Sequence, residues 1–350
     1  MTDSSPPPAR RLALRALGAT TLCTALPALA VRREEELRAY GERDDVMRFA
    51  DEAAQRLGAE PAWARETLAR ARFVPAVTRL IMPPPAGTAK NWAAYRDRFV
   101  EPQRIAAGVR FWNQHAAWLE RAQAEFGVPA AVIAGIIGVE TFYGRHTGNF
   151  RVLDVLATLA FDFPAGRRDR SAFFRDELAA FLLLCRHEPA DCSAPRGSYA
   201  GAMGLPQFMP SSINRYALDY DGDGRVDLSG SAADVIGSVA NFLAAHGWQR
   251  GMPITYGVAA PSDASERATL LVPDIVPSFS AEQMAAHGAE LDAAGRMHDG
   301  PLALVELQNG AAAPSFVAGT QNFYALTRYN WSSYYAMAVI TLGEAVQQQR

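Results

Sequence analysis

The sequence predicts a mainly helical α+β enzyme, divided into lobes around one apolar helix. Three observations predict it. Residues 41–80 place Val46, Phe49, Ala53 and Leu57 three or four apart, the period of an amphipathic helix. Val128–Tyr143 (VPAAVIAGIIGVETFY) is apolar on nearly every side, the pattern of a helix enclosed by a core. After Gly251 the pattern changes to short runs that read as strands: Ile254–Val258, Thr269–Val272, Leu302–Gln308 and Phe316–Gly319. With 350 residues, 49% of them hydrophobic, the chain can bury a substantial core in two or three lobes.

The N-terminus reads as an export signal. Arg10 and Arg11 precede the apolar stretch Leu12–Ala30, which carries only Arg15 and closes on Ala28-Leu29-Ala30, a small-x-small cleavage pattern. The stretch is short for a membrane span. The arginine pair admits a general or a twin-arginine export route. Cys23 follows Thr21-Leu22, so no lipid anchor is expected. Net charge is −3, and cleavage after residue 30 would leave −5. Without a basic surplus, nucleic acid is not an expected partner.

The remaining elements follow in order. Met82–Gly87 (MPPPAG) breaks the first helical region. Lys90–Glu125 reads as long helices whose aromatics, Trp92, Tyr95, Phe99, Phe111, Trp112 and Trp118, suit core packing. Pro129 suits the first position of the apolar helix and Gly144 the left-handed residue after it. Leu153–Phe161 and Phe173–Cys185 read as helices. Cys185 and Cys192, seven positions apart in an exported chain, suit a local disulfide. Residues 196–218 are punctuated by glycine and proline. Asp234–His246 is helical and Gly247 stops it. Met284–Leu291 reads as a short helix among the strands, and Ser333–Gln347 as a final helix.

Two motifs carry chemistry. Glu140 is the acid of the apolar helix, one turn from Ile136 and Ile137. Apolar neighbours and the negative helix end should both raise its pKa, which suits a general acid. A buried Glu paired with an Arg is the plainer alternative. Asp219-Tyr220-Asp221-Gly222-Asp223-Gly224-Arg225-Val226-Asp227 places carboxylates at alternate positions with a glycine at the turn, as in an EF-hand calcium loop. Asp219, Asp221 and Asp223 would ligate through carboxylates and Arg225 through its carbonyl. Gly230 stands where the usual bidentate acid falls, so Asp234 would complete the set through a longer loop. A solvated Asp/Gly turn is the alternative.

Several blocks resemble those of the lytic murein transglycosylase B family. They are Lys90–Arg96 (KNWAAYR), Arg98–Pro102 (RFVEP), Gly138–Gly144 (GVETFYG), Phe150–Asp154 (FRVLD), Gly197–Gly204 (GSYAGAMG), Pro206–Ser212 (PQFMPSS), Ile236–Asn241 (IGSVAN) and Arg328–Asn330 (RYN). The resemblance implies a lysozyme-like catalytic core with a helical lobe, a small β-containing lobe and a structural Ca2+ site. It implies Glu140 as the catalytic acid/base, with Ser198, Gln207, Tyr329, Asn330 and Tyr335 lining a glycan cleft. The expected intervals are a signal at 1–30, a helical lobe at 31–118 and the catalytic core at 119–252, with its calcium loop at 219–234. A mixed lobe at 253–320 follows, then a segment at 321–350 that returns to the cleft. The implied partner is the peptidoglycan glycan strand and the implied site the Gram-negative periplasm; a monomer is expected.

The reaction implied is cleavage of the β-1,4 bond between N-acetylmuramic acid and N-acetylglucosamine, leaving a 1,6-anhydro end. Most glycosidases need two carboxylates, whereas one suffices if the sugar supplies the nucleophile. A hydrolytic muramidase would instead recruit Asp154 or Asp162, and a non-catalytic wall-binding protein would need no acid. Two departures from the family pattern are visible: Arg167-Arg168-Asp169-Arg170 follows Phe161–Pro164 where the family has a compact arginine pair, and the calcium loop is one residue longer before Asp234.

Overall fold

A computed structural model describes residues 39–83, 87, 89–187 and 191–350. The export signal at 1–30 lies outside the described residues. Helices α1 (Asp44–Leu57), α2 (Pro61–Ala69) and α3 (Pro75–Leu80) follow a 3-10 turn at Tyr40–Glu42. The region expected as long helices is three: α4 (Trp92–Arg96), α5 (Pro102–Gln114) and α6 (Ala116–Phe126). Pro102 forces the break before α5, and the Glu101 carboxylate caps it by accepting from the Gln103 and Arg104 N–H groups. The apolar helix is α7 (Ala130–Thr141), and the strand β1 (Phe150–Arg151) leads into α8 (Val152–Phe161). Then come α9 (Ser171–His187), β2 (Arg196–Gly197), α10 (Pro210–Tyr216) and α11 (Ala232–Ala245). The β region holds β3 (Thr255–Ala259), α12 (Ala264–Leu271), α13 (Ala281–Ala286), β4 (Glu290–Leu291), α14 (Ala293–Arg296), β5 (Ala303–Asn309) and β6 (Ala312–Gly319). Helices α15 (Gln321–Thr327) and α16 (Ser333–Gln348) close the chain.

Two expectations in the β region are corrected. Thr269–Val272 is not a strand but the end of α12. Asp263 caps that helix by accepting from Ser265 and Glu266, and Leu270 is buried while Val272 is 81% exposed, a helical rather than an extended pattern. Met284–Leu291 is not one helix: α13 is started earlier by the Ser280/Gln283 capping box, and Glu290–Leu291 leaves it to pair with β3. The sheet is antiparallel in the order β4-β3-β6-β5, with Tyr256 and Leu304 both opposite Ala318. Alternation on β5 serves two cores at once. Ala303, Val305 and Leu307 join the main core, while Leu304, with Leu302 just before the strand, joins the small apolar cluster of the β region.

The main core gathers α5, α6, α7, α11 and α16. A second gathers α1, α2 and α3 with α8 and α9. Packing therefore cuts across the expected intervals, because α8 and α9 present apolar faces to the N-terminal helices, whereas Ile105, Phe111 and Trp112 of α5 face the main core. α7 and α16 touch backbone to backbone. A Cβ on Gly135 would meet the Val339 carbonyl oxygen at 2.3 Å, and one on Gly343 the Ala131 carbonyl oxygen at 2.1 Å. This contact places Tyr335, at the start of α16, beside the end of α7.

Candidate active site

Helix α7 stays helical although it carries three β-branched isoleucines, because burial of Val132 to Val139 outweighs their modest helix propensity. Its ends differ from expectation. Pro129 is the extended residue before the helix, not its first residue. Phe142, Tyr143 and Gly144 are all left-handed, at φ 53°, 56° and 90°. Two consecutive aromatics in that region are costly for L-residues, so the turn must be held from outside. Arg104 of α5 does so. Its Nη1 donates to the Gly138 carbonyl oxygen at 2.6 Å, and its guanidinium lies 4.4 Å from the Phe142 ring centroid and 5.2 Å from that of Phe99. The Tyr143 ring folds back between α5 and α7: a Cβ on Gly108 or on Gly138 would lie 2.4 or 2.5 Å from its hydroxyl oxygen. Thr141 pins the turn to the neighbouring loop by donating to the Leu205 carbonyl at 3.0 Å.

Glu140 is half-buried at this end, and burial raises its pKa from 4.5 to about 7. The Tyr335 hydroxyl donates to Glu140 Oε1 at 2.6 Å and pulls the other way. Tyr335 is 2% exposed, so it holds the acid and offers no face to a sugar. The Tyr329 ring stacks on Tyr335, with centroids 6.2 Å apart and planes at 14°, and its hydroxyl donates to the Pro206 carbonyl. Burial first, and then the charge of Glu140, push both phenols far above their ordinary range. Tyr95 also feels this carboxylate: burial raises its pKa, Arg98 opposes and Glu140 adds to it.

Ser198 and Gln207 sit in the glycine-rich loop and are engaged with backbone. Ser198 Oγ accepts from the Ala200 and Ala202 N–H groups. Gln207, itself left-handed at φ 50°, donates through Nε2 to the Thr147 and Gly204 carbonyls. Among the described residues, its side-chain carbonyl oxygen has no hydrogen-bond partner. Asn330 is exposed. The acids that hydrolysis would need are occupied elsewhere. Asp154 is buried, accepts the Arg72 N–H at 3.0 Å and pairs with Arg151 at 3.3 Å. Asp162 pairs with Arg43 at 2.7 Å and accepts from the Tyr40 hydroxyl at 2.7 Å.

The aspartate loop forms the compact turn its spacing requires. Carboxylate oxygens of Asp219, Asp221 and Asp223 lie within 4.8 Å of one another. Asp219 shapes the loop by accepting from Gly222, Asp223 and Gly224 N–H groups. Asp234 differs from expectation. It is 1% exposed and stands outside that group; its two oxygens accept the Tyr220 and Asp227 N–H groups, each at 2.7 Å, and so tie the loop's ends together. Asp234 stands in the first turn of helix α11, where these backbone donors claim it. The Arg225 side chain pairs with Asp227 at 2.8 Å. Cys185 and Cys192 are both thiols, not a disulfide. They are neighbours, since a hydrogen bond with Cys185 is the main cause holding the Cys192 thiol below its ordinary pKa.

Residues 41–344 match the transglycosylase SLT domain family. The chain belongs to this family. It is 38% identical over 319 residues to the membrane-bound lytic murein transglycosylase B of Escherichia coli K12, a match covering 89% of this chain and 85% of that protein. Its fold matches the E. coli lytic transglycosylase Slt35 solved in complex with calcium, with a TM-score of 0.78, 38% identity and coverage of 88% and 94%. It also matches SltB3 of Pseudomonas aeruginosa solved with NAG-anhNAM-pentapeptide, with a TM-score of 0.68, 29% identity and coverage of 86% and 79%. Lytic transglycosylation of murein is thus the activity of this SLT chain, ahead of the muramidase and non-catalytic readings. Tyr95 and Arg104 carry no direct mark in the sequence that points to the site. The aromatic pattern of Lys90–Glu125 suits Tyr95 to core packing, although it stands in the KNWAAYR block. The usable signal for Arg104 was a cation on the same helical face as Gly108 and Phe111, at i, i+4 and i+7.

Proposed function

We propose that Glu140 alone serves as acid and then as base, cleaving the bond between N-acetylmuramic acid and N-acetylglucosamine to leave a 1,6-anhydro end. The observation that carries this is a half-buried carboxyl raised to about 7, with a tyrosine hydroxyl on one oxygen, while Asp154 and Asp162 are bound to arginines elsewhere. The protonated carboxyl gives its proton to the glycosidic oxygen as the bond to C1 breaks. The carboxylate that results keeps the Tyr335 hydrogen bond, which favours the charged form. It then takes the proton of the C6 hydroxyl as O6 attacks C1. The acid is restored, and no water is consumed. The Gln207 carbonyl oxygen and the Asn330 side chain supply polar contacts to the sugar, and Ser198 shapes the loop that presents Gln207. SltB3 binding an anhydro-muramyl glycopeptide supports this product.

Asp219, Asp221, Asp223 and the Arg225 carbonyl would hold a structural Ca2+. The donor set fits: hard oxygens converge on a loop already shaped by Asp219, and the related Slt35 was solved with calcium. The ion would offset repulsion among the three carboxylates; no catalytic step passes through it. Export to the periplasm, with residues 1–30 as the signal, is consistent with a murein substrate. The test is mass spectrometry of products from purified sacculi. The wild type should release anhydro-muropeptides, and Glu140→Gln should release none while staying folded. Reducing-end products from the wild type, or full activity in the variant, would overturn the mechanism.

A further inference from the structure

Trp331 is 56% exposed, an unusual state for a tryptophan and one in which packing alone gives little reason for the ring. It is not loose. The Tyr324 ring meets it edge-on at 6.1 Å and 84°, and the Arg328 guanidinium lies 5.1 Å from its centroid and 5.7 Å from that of Tyr324. The backbone beneath is tied down: Arg328 and Tyr329 N–H groups donate to the Ala325 and Leu326 carbonyls, and Ser332 caps α16 through the Tyr335 N–H. Arg328 is exposed and, among the described residues, takes part in no ion pair. Its guanidinium carbon lies over both rings, and its N–H groups are the part suited to a carboxylate.

The position of this stack suggests its occupant. Trp331 follows Tyr329 and Asn330 directly, and two residues of chain span at most about 7 Å. Tyr329 stacks on the tyrosine that holds Glu140. The platform is therefore continuous with the segment beside the acid. We infer that Trp331 and Arg328 form an accessory subsite for the peptide-bearing glycan strand. The exposed indole takes the apolar face of a pyranose ring, and Arg328 takes a carboxylate of the attached peptide. A rigid aromatic gives contact area at little entropic cost, and a guanidinium held against two rings, in no ion pair among the described residues, is preorganised for a bidentate anion. This subsite rests on the reading of Glu140 as the centre of the cleft.

The test measures kcat and KM for the full enzyme on two soluble substrates: glycan strands with stem peptides, and the same strands stripped of peptides by an amidase. Trp331→Ala should raise KM roughly tenfold on both substrates with kcat nearly unchanged, and Trp331→Tyr should restore most of the loss. Arg328→Gln should raise KM roughly fivefold on peptide-bearing strands and leave stripped strands unaffected. Melting temperatures are followed in parallel, and Glu140→Gln is assayed beside these variants. Unchanged KM in Trp331→Ala overturns the sugar platform, and equal effects of Arg328→Gln on both substrates overturn the peptide contact. Activity retained in Glu140→Gln would instead count against the acid, separating the two failures.

Discussion

Glu140 sets a pH-dependent penalty on the fold that its own substitution should remove. In the folded chain its pKa is about 7, against an ordinary value of 4.5. Below pH 4.5 both folded and unfolded chains carry the proton, and the group is neutral toward stability. Between 4.5 and 7 the unfolded chain releases its proton while the folded chain keeps it, so stability falls as pH rises. Above 7 both are ionised and the loss is complete. At roughly 1.4 kcal/mol per pH unit the gap is worth about 3 kcal/mol. Glu140→Gln mimics the protonated acid at every pH. The variant should gain on the wild type from pH 4.5 upward, by about 3 kcal/mol at pH 8, which is about 5 °C in melting temperature for a chain of this size. Urea denaturation of both proteins from pH 4 to 8.5 measures it. Curves that stay parallel throughout would show that Glu140 titrates at an ordinary value, and the acid proposed here would fail.

Three further outcomes are expected. Tyr335→Phe removes the hydroxyl 2.6 Å from Glu140 Oε1, so the carboxylate loses about 1.5 kcal/mol or more and the pKa climbs beyond 7 by about one unit; the alkaline limb of the pH–rate profile should move up, and an unmoved limb refutes the contact. Arg104→Met deletes the donor to Gly138 and the cation over Phe142, so kcat should drop at least about tenfold, near 1.4 kcal/mol, with KM little changed; steady-state kinetics that match the wild type would show that the left-handed turn stands without its clamp. EDTA should lower the melting temperature by the linkage term, about 2.7 kcal/mol at a hundredfold excess of ion over Kd. Asp221→Asn should abolish that response, and a melting curve indifferent to chelator removes the calcium site.

The helices and the acid were legible in the sequence because their signals are local. Helical period marks α1, the bare apolar run marks α7, and the Asp219–Asp227 spacing encodes its loop without help from distant residues. The family blocks, too, are contiguous words. What the sequence could not state depends on partners far along the chain. Thr269–Val272 has strand-like composition, yet capping by Asp263 and burial of Leu270 make it helix. Asp234 has a ligand's chemistry, but helix α11 aims it at two backbone N–H groups. Tyr335 looked like a sugar contact, and only the glycine-mediated approach of α16 to α7 brings its hydroxyl onto Glu140. The acidity of Glu140 belongs to the same class. Sequence supplies the carboxyl and its isoleucine neighbours, but a pKa near 7 requires water to be excluded by elements up to 195 residues away, and desolvation is a property of the assembled fold alone.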